Sequence, residues 1–283
     1  MAIEWLEVDQ PPALVPLFTR ALFKQRVSGD QLPSLGVRTR LQIDPAHLAR
    51  YRHVCTLQDS AYLPALYPHV MAFALQMKLI TSPLFPTPVL GLVHLENQIK
   101  VLRPMQAGGP LSLSVHLERL QAHPKGATFS LITQLFDEQG LLWEGDSRML
   151  SRHLHMQGEK IKKSPSTNLE LAPLASWQSE HDIGRRYARV AGDYNPIHVS
   201  NLSARLFGFP GAIAHGLWNK ARCIEALSQH LPVAGYSLGV RFQRPVLLPA
   251  QLTLHASEIA PNGQFRLLGN DQRQHLNGYW QTD

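Results

Sequence analysis

Cysteine is the scarcest informative residue in this 283-residue chain, which carries two, Cys55 and Cys223. Two cysteines build no disulfide framework, and both stand among apolar residues at helical spacing, so buried thiols and a reducing cytoplasm are expected. No apolar run approaches the ~18 residues of a membrane span, so none is expected. The opening Met1-Ala2-Ile3-Glu4-Trp5-Leu6-Glu7 has acids where a signal peptide carries bases. Charged residues are sparse at 17% against 44% hydrophobic, the proportions of a soluble globular protein. Acid is in deficit: 21 Asp and Glu against 27 Lys and Arg, a net charge of +6. Such a balance suits a polyanionic partner, either nucleic acid or a phosphate-bearing ligand. Nucleic acid requires a clustered basic face, and the one short cluster, Lys160, Lys162 and Lys163, reads as a solvated linker; no nucleic-acid partner is expected. Histidines are plentiful, but the pair His153 and His155, placed on a strand, has no third ligand in view, and no metal is expected.

What is present is a repeat. Residues 1–35 offer only apolar pieces, such as Leu14 to Phe23, broken by prolines. A strand is expected over Val37 to Ile43. Asp44-Pro45 then supplies an N-cap and a first-turn proline for a helix over Ala46 to Cys55. A second helix is expected from His69 to Ile80, then strands near 89–102, 111–121, 127–136 and 141–153. After a polar, basic stretch, 155–169, the order returns. A helix covers Asp182 to Ala191, a loop follows, and a helix over Leu217 to Leu231 sets Leu217, Ala221, Ile224 and Leu227 on one face. Strands are expected near 236–245, 251–259, 264–269 and 274–281, with Asn262-Gly263 as a hairpin turn. Tyr51-Arg52-His53-Val54 matches Tyr187-Ala188-Arg189-Val190 at an offset of 136 residues, and Pro68-His69-Val70 matches Ala214-His215-Gly216 at 146. Arg103-Pro104 with Leu111-Ser112-Leu113 matches Arg244-Pro245 with Leu252-Thr253-Leu254 at 141. Three matches in order indicate duplication, with two domains, 1–154 and 170–283, joined by a linker over 155–169.

Chemistry gathers between Tyr187 and Gly216. Asp193 and His198 stand five residues apart around Asn195-Pro196. Pro196 pushes Asn195 out of the α region, so no continuous helix passes through, and a turned backbone aims a carboxylate and an imidazole at one point. Gly216 opens a helix, where an unpaired amide at the positive end of the dipole suits a developing oxyanion. Carboxylate, imidazole and oxyanion donor together suit acid–base chemistry at a carbonyl.

Tyr187, Gly192-Asp193, Asn195-Pro196 and His198, followed by Ala204, Gly208-Phe209 and Ala214-His215-Gly216, resemble the hydratase 2 motif of MaoC-like dehydratases, also called (R)-specific enoyl-CoA hydratases. The resemblance implies an α+β double hotdog: two antiparallel sheets, each wrapping a central helix, joined side by side as a pseudo-dimer within the chain. It implies Asp193 and His198 as the catalytic pair, Asn195 as support and the Gly216 amide as donor to the thioester oxygen. Tyr194, His215, Arg241 and Arg244 are candidates for substrate contact; Tyr194 also reads as loop packing, His215 as orienting the Gly216 turn, and the arginines as a strand edge facing water. No cofactor beyond the carrier of the thioester is expected, and CoA and an acyl carrier protein stay open, as does a homodimer. At the 136 offset Asp193 becomes Leu57, Asn195 becomes Asp59 and His198 becomes Tyr62, while Val70 replaces Gly216. Leu57 cannot titrate, and a tyrosine with a reference pKa near ~10 is a poor base at neutral pH. The N-terminal copy therefore reads as catalytically degenerate. The expected activity is hydration of trans-2-enoyl thioesters, or dehydration of (R)-3-hydroxyacyl thioesters. Two alternatives are a hotdog acyl-CoA thioesterase and a non-catalytic acyl-thioester-binding protein.

Overall fold

The computed structural model describes residues 3–24, 26–157 and 170–283. Strand β1 (Glu4–Val8) and helix α1 (Leu14–Phe23) lead into β2 (Leu35–Leu41), α2 (Pro45–Cys55) and α3 (Tyr67–Ile80). Asp44 caps α2 as expected, accepting from the Ala46 amide at 2.9 Å, with Pro45 at the first helical position. Four long strands follow: β3 (Val93–Val101), β4 (Leu111–His123), β5 (Gly126–Asp137) and β6 (Gly140–Ser151). The sequence then repeats itself in space. It runs through β7 (Ala172–Ser179), α4 (Ile183–Ala191), α5 (Pro196–Val199), α6 (Asn201–Leu206) and α7 (Gly216–Ala226), then β8 (Tyr236–Phe242), β9 (Ala250–Ala256), β10 (Asn262–Gly269) and β11 (Gln274–Thr282). Of the linker expected over 155–169, residues 158–169 lie outside the described residues.

The strands form one sheet of eleven in the order β1-β2-β4-β5-β6-β3-β8-β11-β10-β9-β7. From the centre outward, β3-β6-β5-β4-β2 on one side mirrors β8-β11-β10-β9-β7 on the other, the arrangement of a double hotdog. β3 and β8 pair antiparallel, from Glu96 opposite Arg241 to Val101 opposite Tyr236, and so join the two halves edge to edge. α2 and α4 meet across the same axis, where the equivalent rings Tyr51 and Tyr187 stand 6.4 Å apart. A single apolar core runs through both halves and includes Tyr51, Leu75, Leu113, Trp143, Cys223, Leu254 and Trp280. Both cysteines are free and buried. No helix among the described residues is long and apolar enough to cross a membrane.

Four local expectations are corrected, and a strand, β7, is added to those expected. Leu14 to Phe23 forms a helix despite Pro16, because a proline in the first turn forfeits no intrahelical bond. β7, rich in Ala and Ser, has little strand propensity of its own and is fixed by pairing with β9. Asn262 and Gly263 start β10 instead of forming the turn, which lies over 257–261. Gly263 is needed there because a Cβ would stand 2.0 Å from the Trp280 ring. His153 lies past the end of β6, so His153 and His155 are not on a strand. α7 ends at Ala226 and buries Trp218, Asn219, Lys220, Ala221 and Cys223, because a helix enclosed by a sheet is judged on nearly all its faces.

Candidate active site

Two turns close the gap between Asp193 and His198. α4 stops at Gly192, which caps it in the left-handed region (φ 76°). Asp193 Oδ1 accepts from the Asn195 amide at 3.2 Å, a side-chain turn typical of aspartate. Asn195 is extended ahead of Pro196, and its side chain caps α5 by accepting from the Ile197 amide. His198 is the third residue of this short helix and is buried. Gly184, in the first turn of α4, lies so close that a Cβ there would stand 2.1 Å from the His198 carbonyl oxygen.

The hydrogen bonds settle the tautomers. His198 Nδ1 faces the Ile213 carbonyl at 2.8 Å; a carbonyl only accepts, so Nδ1 carries the proton and Nε2 keeps its lone pair. His215 Nε2 likewise donates to the Asp193 backbone oxygen at 3.0 Å and lies 3.8 Å from Asp193 Oδ2. The two imidazoles stack with centroids 3.6 Å apart, and the Tyr187 ring lies 4.9 Å beyond His215. Burial pushes the His198 pKa below its ordinary value, against the opposing pull of the Asp193 charge and the Ile213 carbonyl. Burial, reinforced by His198, drives His215 further down. Both rings are therefore neutral near pH 7, beside a carboxylate one-third exposed.

α7 begins at Gly216, with His215 as a cap that offers no side-chain bond, so the first-turn amides keep their donor capacity. Gly216 is required by packing: a Cβ would stand 2.8 Å from the Phe242 ring. Val70, its counterpart in the N-terminal half, sits buried in the first turns of α3. Asp193, His198 and His215 offer ligand atoms within 4.8 Å of one another, the residue types of a metal site. Stacked rings only 26° from parallel direct their in-plane lone pairs side by side instead of converging on one ion.

The motif thus brings Asp193, Asn195, His198, His215 and the start of α7 together. His215, read both as a substrate contact and as orienting the Gly216 turn, is buried, stacks on His198 and holds the loop by the Asp193 carbonyl. Arg241 is engaged by Glu96 across the β3–β8 seam at 2.6 Å, and Arg244 stands exposed beyond the end of β8. Tyr194 is half exposed, edge-on to Phe18 of α1. Sequence reasoning missed Gly184, Phe242 and Lys220. None of the three carries a local signal: Lys220 stands in α7 beside Asn219 and near Arg222 and Glu225, where a lysine looks unremarkable.

A double hotdog with a carboxylate, a neutral imidazole and a helix-start amide at one loop defines the class of MaoC-like hydratases. The MaoC-like domain model matches residues 156–267. The chain is 34% identical over 231 residues to 3-hydroxyacyl-thioester dehydratase X of Mycobacterium tuberculosis, covering 81% of this chain and 82% of that one. It is 30% identical over 151 residues to the peroxisomal enoyl-CoA hydratase 2 of Arabidopsis thaliana, 48% of each. The crystal structure of HtdX from Mycobacterium tuberculosis superposes with a TM-score of 0.75 at 31% identity, over 88% of this chain and 100% of that one. The chain belongs to the MaoC-like dehydratase family and is an enzyme of the hydratase and dehydratase type.

Proposed function

We propose that this protein adds water across the double bond of trans-2-enoyl thioesters, and in reverse dehydrates (R)-3-hydroxyacyl thioesters, with Asp193 and His198 as the catalytic pair. The observation that carries this reading is the fixed tautomer of His198. Its Nδ1–H is committed to the Ile213 carbonyl, so Nε2 presents a lone pair next to the Asp193 carboxylate. A water held between the two loses a proton to the pair as its oxygen attacks C3, and the pair returns a proton to C2. H and OH are thus added across the bond with no redox change. The electron density that moves onto the thioester oxygen meets the Gly216 amide at the start of α7. Asn195 holds the loop in shape, and His215 supports it from below.

The thioester carrier, CoA or an acyl carrier protein, brings the phosphates that a chain of net charge +6 suits. The two free, buried thiols fit a reducing compartment such as the cytoplasm. The two halves act as a pseudo-dimer with one working site, the N-terminal unit over 1–154 serving the C-terminal unit over 170–283. Thioester hydrolysis and mere binding are disfavoured, because the motif supplies a complete hydration set and the relatives named above are a dehydratase and a hydratase.

The test follows loss of enoyl absorbance with Asp193→Asn, His198→Ala and the double variant. Each single change is expected to lower kcat by on the order of 10²–10⁴-fold. The double variant is expected to be no slower than the worse single one, because the two groups act on one water. Retained activity in either single variant overturns the assignment, and stoichiometric release of free thiol identifies a thioesterase instead.

A further inference from the structure

The pseudo-twofold axis relates an open cleft on the degenerate side to the space beside the catalytic pair. Equivalence is fixed by Tyr51 and Tyr187 facing each other at 6.4 Å, and by Thr56 (φ 52°) and Gly192 (φ 76°) ending α2 and α4 in the same left-handed cap. Beside the degenerate loop of the N-terminal half lies an open cleft of about 210 Å³, walled by Leu57 and Tyr62 on one side and Ala221, Ile224, Ser228 and Pro232 on the other. The offset of 136 residues carries Leu57 onto Asp193, and Tyr62, which bridges to Gln106 as Ile213 bridges to Leu247, matches the residue whose carbonyl holds His198; the offset of 146 carries Ile224, Ser228 and Pro232 onto Lys78, Ser82 and Pro86. The open cleft is therefore the counterpart of the space that faces the catalytic pair.

On the working side that space is spanned by α1 and the residues after it, a segment outside both repeats. Leu14 approaches Gly192, with Cδ1 2.6 Å from where a Cβ would stand. Phe18 packs between Tyr194 of the motif loop, at 6.5 Å, and Phe73 of α3, at 6.4 Å. Lys24 Nζ donates to the Ser82 carbonyl at 2.6 Å and to that of Phe85. The Ser28 amide donates to the Pro86 carbonyl at 2.8 Å. These contacts touch both walls, from the loop that bears Asp193 to the segment equivalent to Ser228 and Pro232. Leu17 and Ala21 anchor the helix in the core, while Val15 and Phe23 face outward.

We propose that α1 is the cover of the catalytic cleft and that Phe18 sets the size of acyl thioester the enzyme accepts. The inference rests on the reading that Asp193 and His198 act on an acyl thioester. A helix laid across the mouth narrows the space beside the pair, and Phe18 is the large side chain of α1 that bridges motif loop and α3. Shortening Phe18 opens on the working side the room that the degenerate side already has. The consequence is a changed preference among acyl chains, with the chemistry at C2 and C3 untouched.

The experiment compares kcat/KM for C4 and C12 trans-2-enoyl-CoA in the full chain with Phe18→Ala, Phe18→Leu and, on the degenerate side, Ile224→Ala. Calorimetric binding of saturated C4 and C12 acyl-CoA is measured in parallel. Phe18→Ala is expected to raise the C12 to C4 ratio of kcat/KM tenfold or more, with Phe18→Leu intermediate and Ile224→Ala unchanged. Ratios within twofold of wild type in both Phe18 variants overturn the proposal, as does an equal shift in Ile224→Ala. Phe18→Leu, which keeps an apolar side chain on α1, guards against detachment of the helix in Phe18→Ala. If the wild type hydrates no enoyl thioester, the functional reading fails. The binding ratio then still decides whether Phe18 gates acyl size, with a shift supporting the cover and none overturning it.

Discussion

His198 is held neutral by where it sits, and this fixes how the protein responds to acid. Burial lowers its pKa from the ordinary 6.5, and the catalytic role needs the lone pair on Nε2. Activity should therefore stay level from pH 8 down through 6.5 and fall only below it. A kcat/KM profile titrating at or above pH 7 would contradict a buried, neutral base. Stability moves in the same direction. His69, pushed down to about 3 by burial, and His94, pushed down to about 4, are also neutral when folded. The unfolded chain binds protons at these histidines where the folded chain does not, so stability is complete above pH 6.5 and is lost as pH falls toward the folded values. Each such proton adds a slope of up to about 1.4 kcal/mol per pH unit. Tm measured from pH 7.5 to 5 should fall with a slope that His94→Asn reduces.

Among the elements, α7 carries a burden invisible from its own periodicity. Lys220 has no exposed surface, and its Nζ donates to Asn97 O at 2.9 Å, Asn97 Oδ1 at 2.6 Å and Leu238 O at 3.3 Å. Asn97 is on β3 and Leu238 on β8, so one side chain ties α7 to both strands of the seam between the halves. Three acceptors surround the amine nitrogen, while burial drives the pKa well below the usual lysine value. Lys220→Met fills the volume yet leaves those acceptors without a donor, at a cost of about 2–4 kcal/mol. A Tm drop on the order of 5–10 °C is expected in a chain of this size. An unchanged Tm would show that the three bonds contribute nothing net to folding.

At the scale of the molecule, the proposed function gives the chemistry to one half and leaves the other to frame it. Leu57 follows the cap of α2 as Asp193 follows that of α4, while Tyr62 bridges to Gln106 as Ile213 bridges to Leu247, so Tyr62 stands at the place of Ile213, the residue whose carbonyl holds His198. Tyr62→Phe should leave enoyl-CoA turnover within a few-fold of wild type. A loss comparable to that of Asp193→Asn would mean that the N-terminal copy contributes a reacting group.

The sequence by itself determined whatever depends on neighbours along the chain. Asp44-Pro45 starts a helix, Gly192 ends one, and Asn195-Pro196 breaks the backbone between Asp193 and His198, all through bonds reaching two to four residues. The repeat was legible for the same reason, since the same local signals recur in the same order. Contacts made across the fold were decided by tertiary structure alone. His215 lies seventeen residues from His198 in the chain, yet their rings stack at 3.6 Å because Ile213 and the Asp193 carbonyl draw both into one pocket. Lys220 reads as a surface residue until β3 and β8 close over it. α1 has a weak local signal, and its place beside Tyr194 and Phe73 is set by partners 55 to 176 residues away in the chain. Packing energy between such distant groups exists only after the chain has folded, so no local pattern records it.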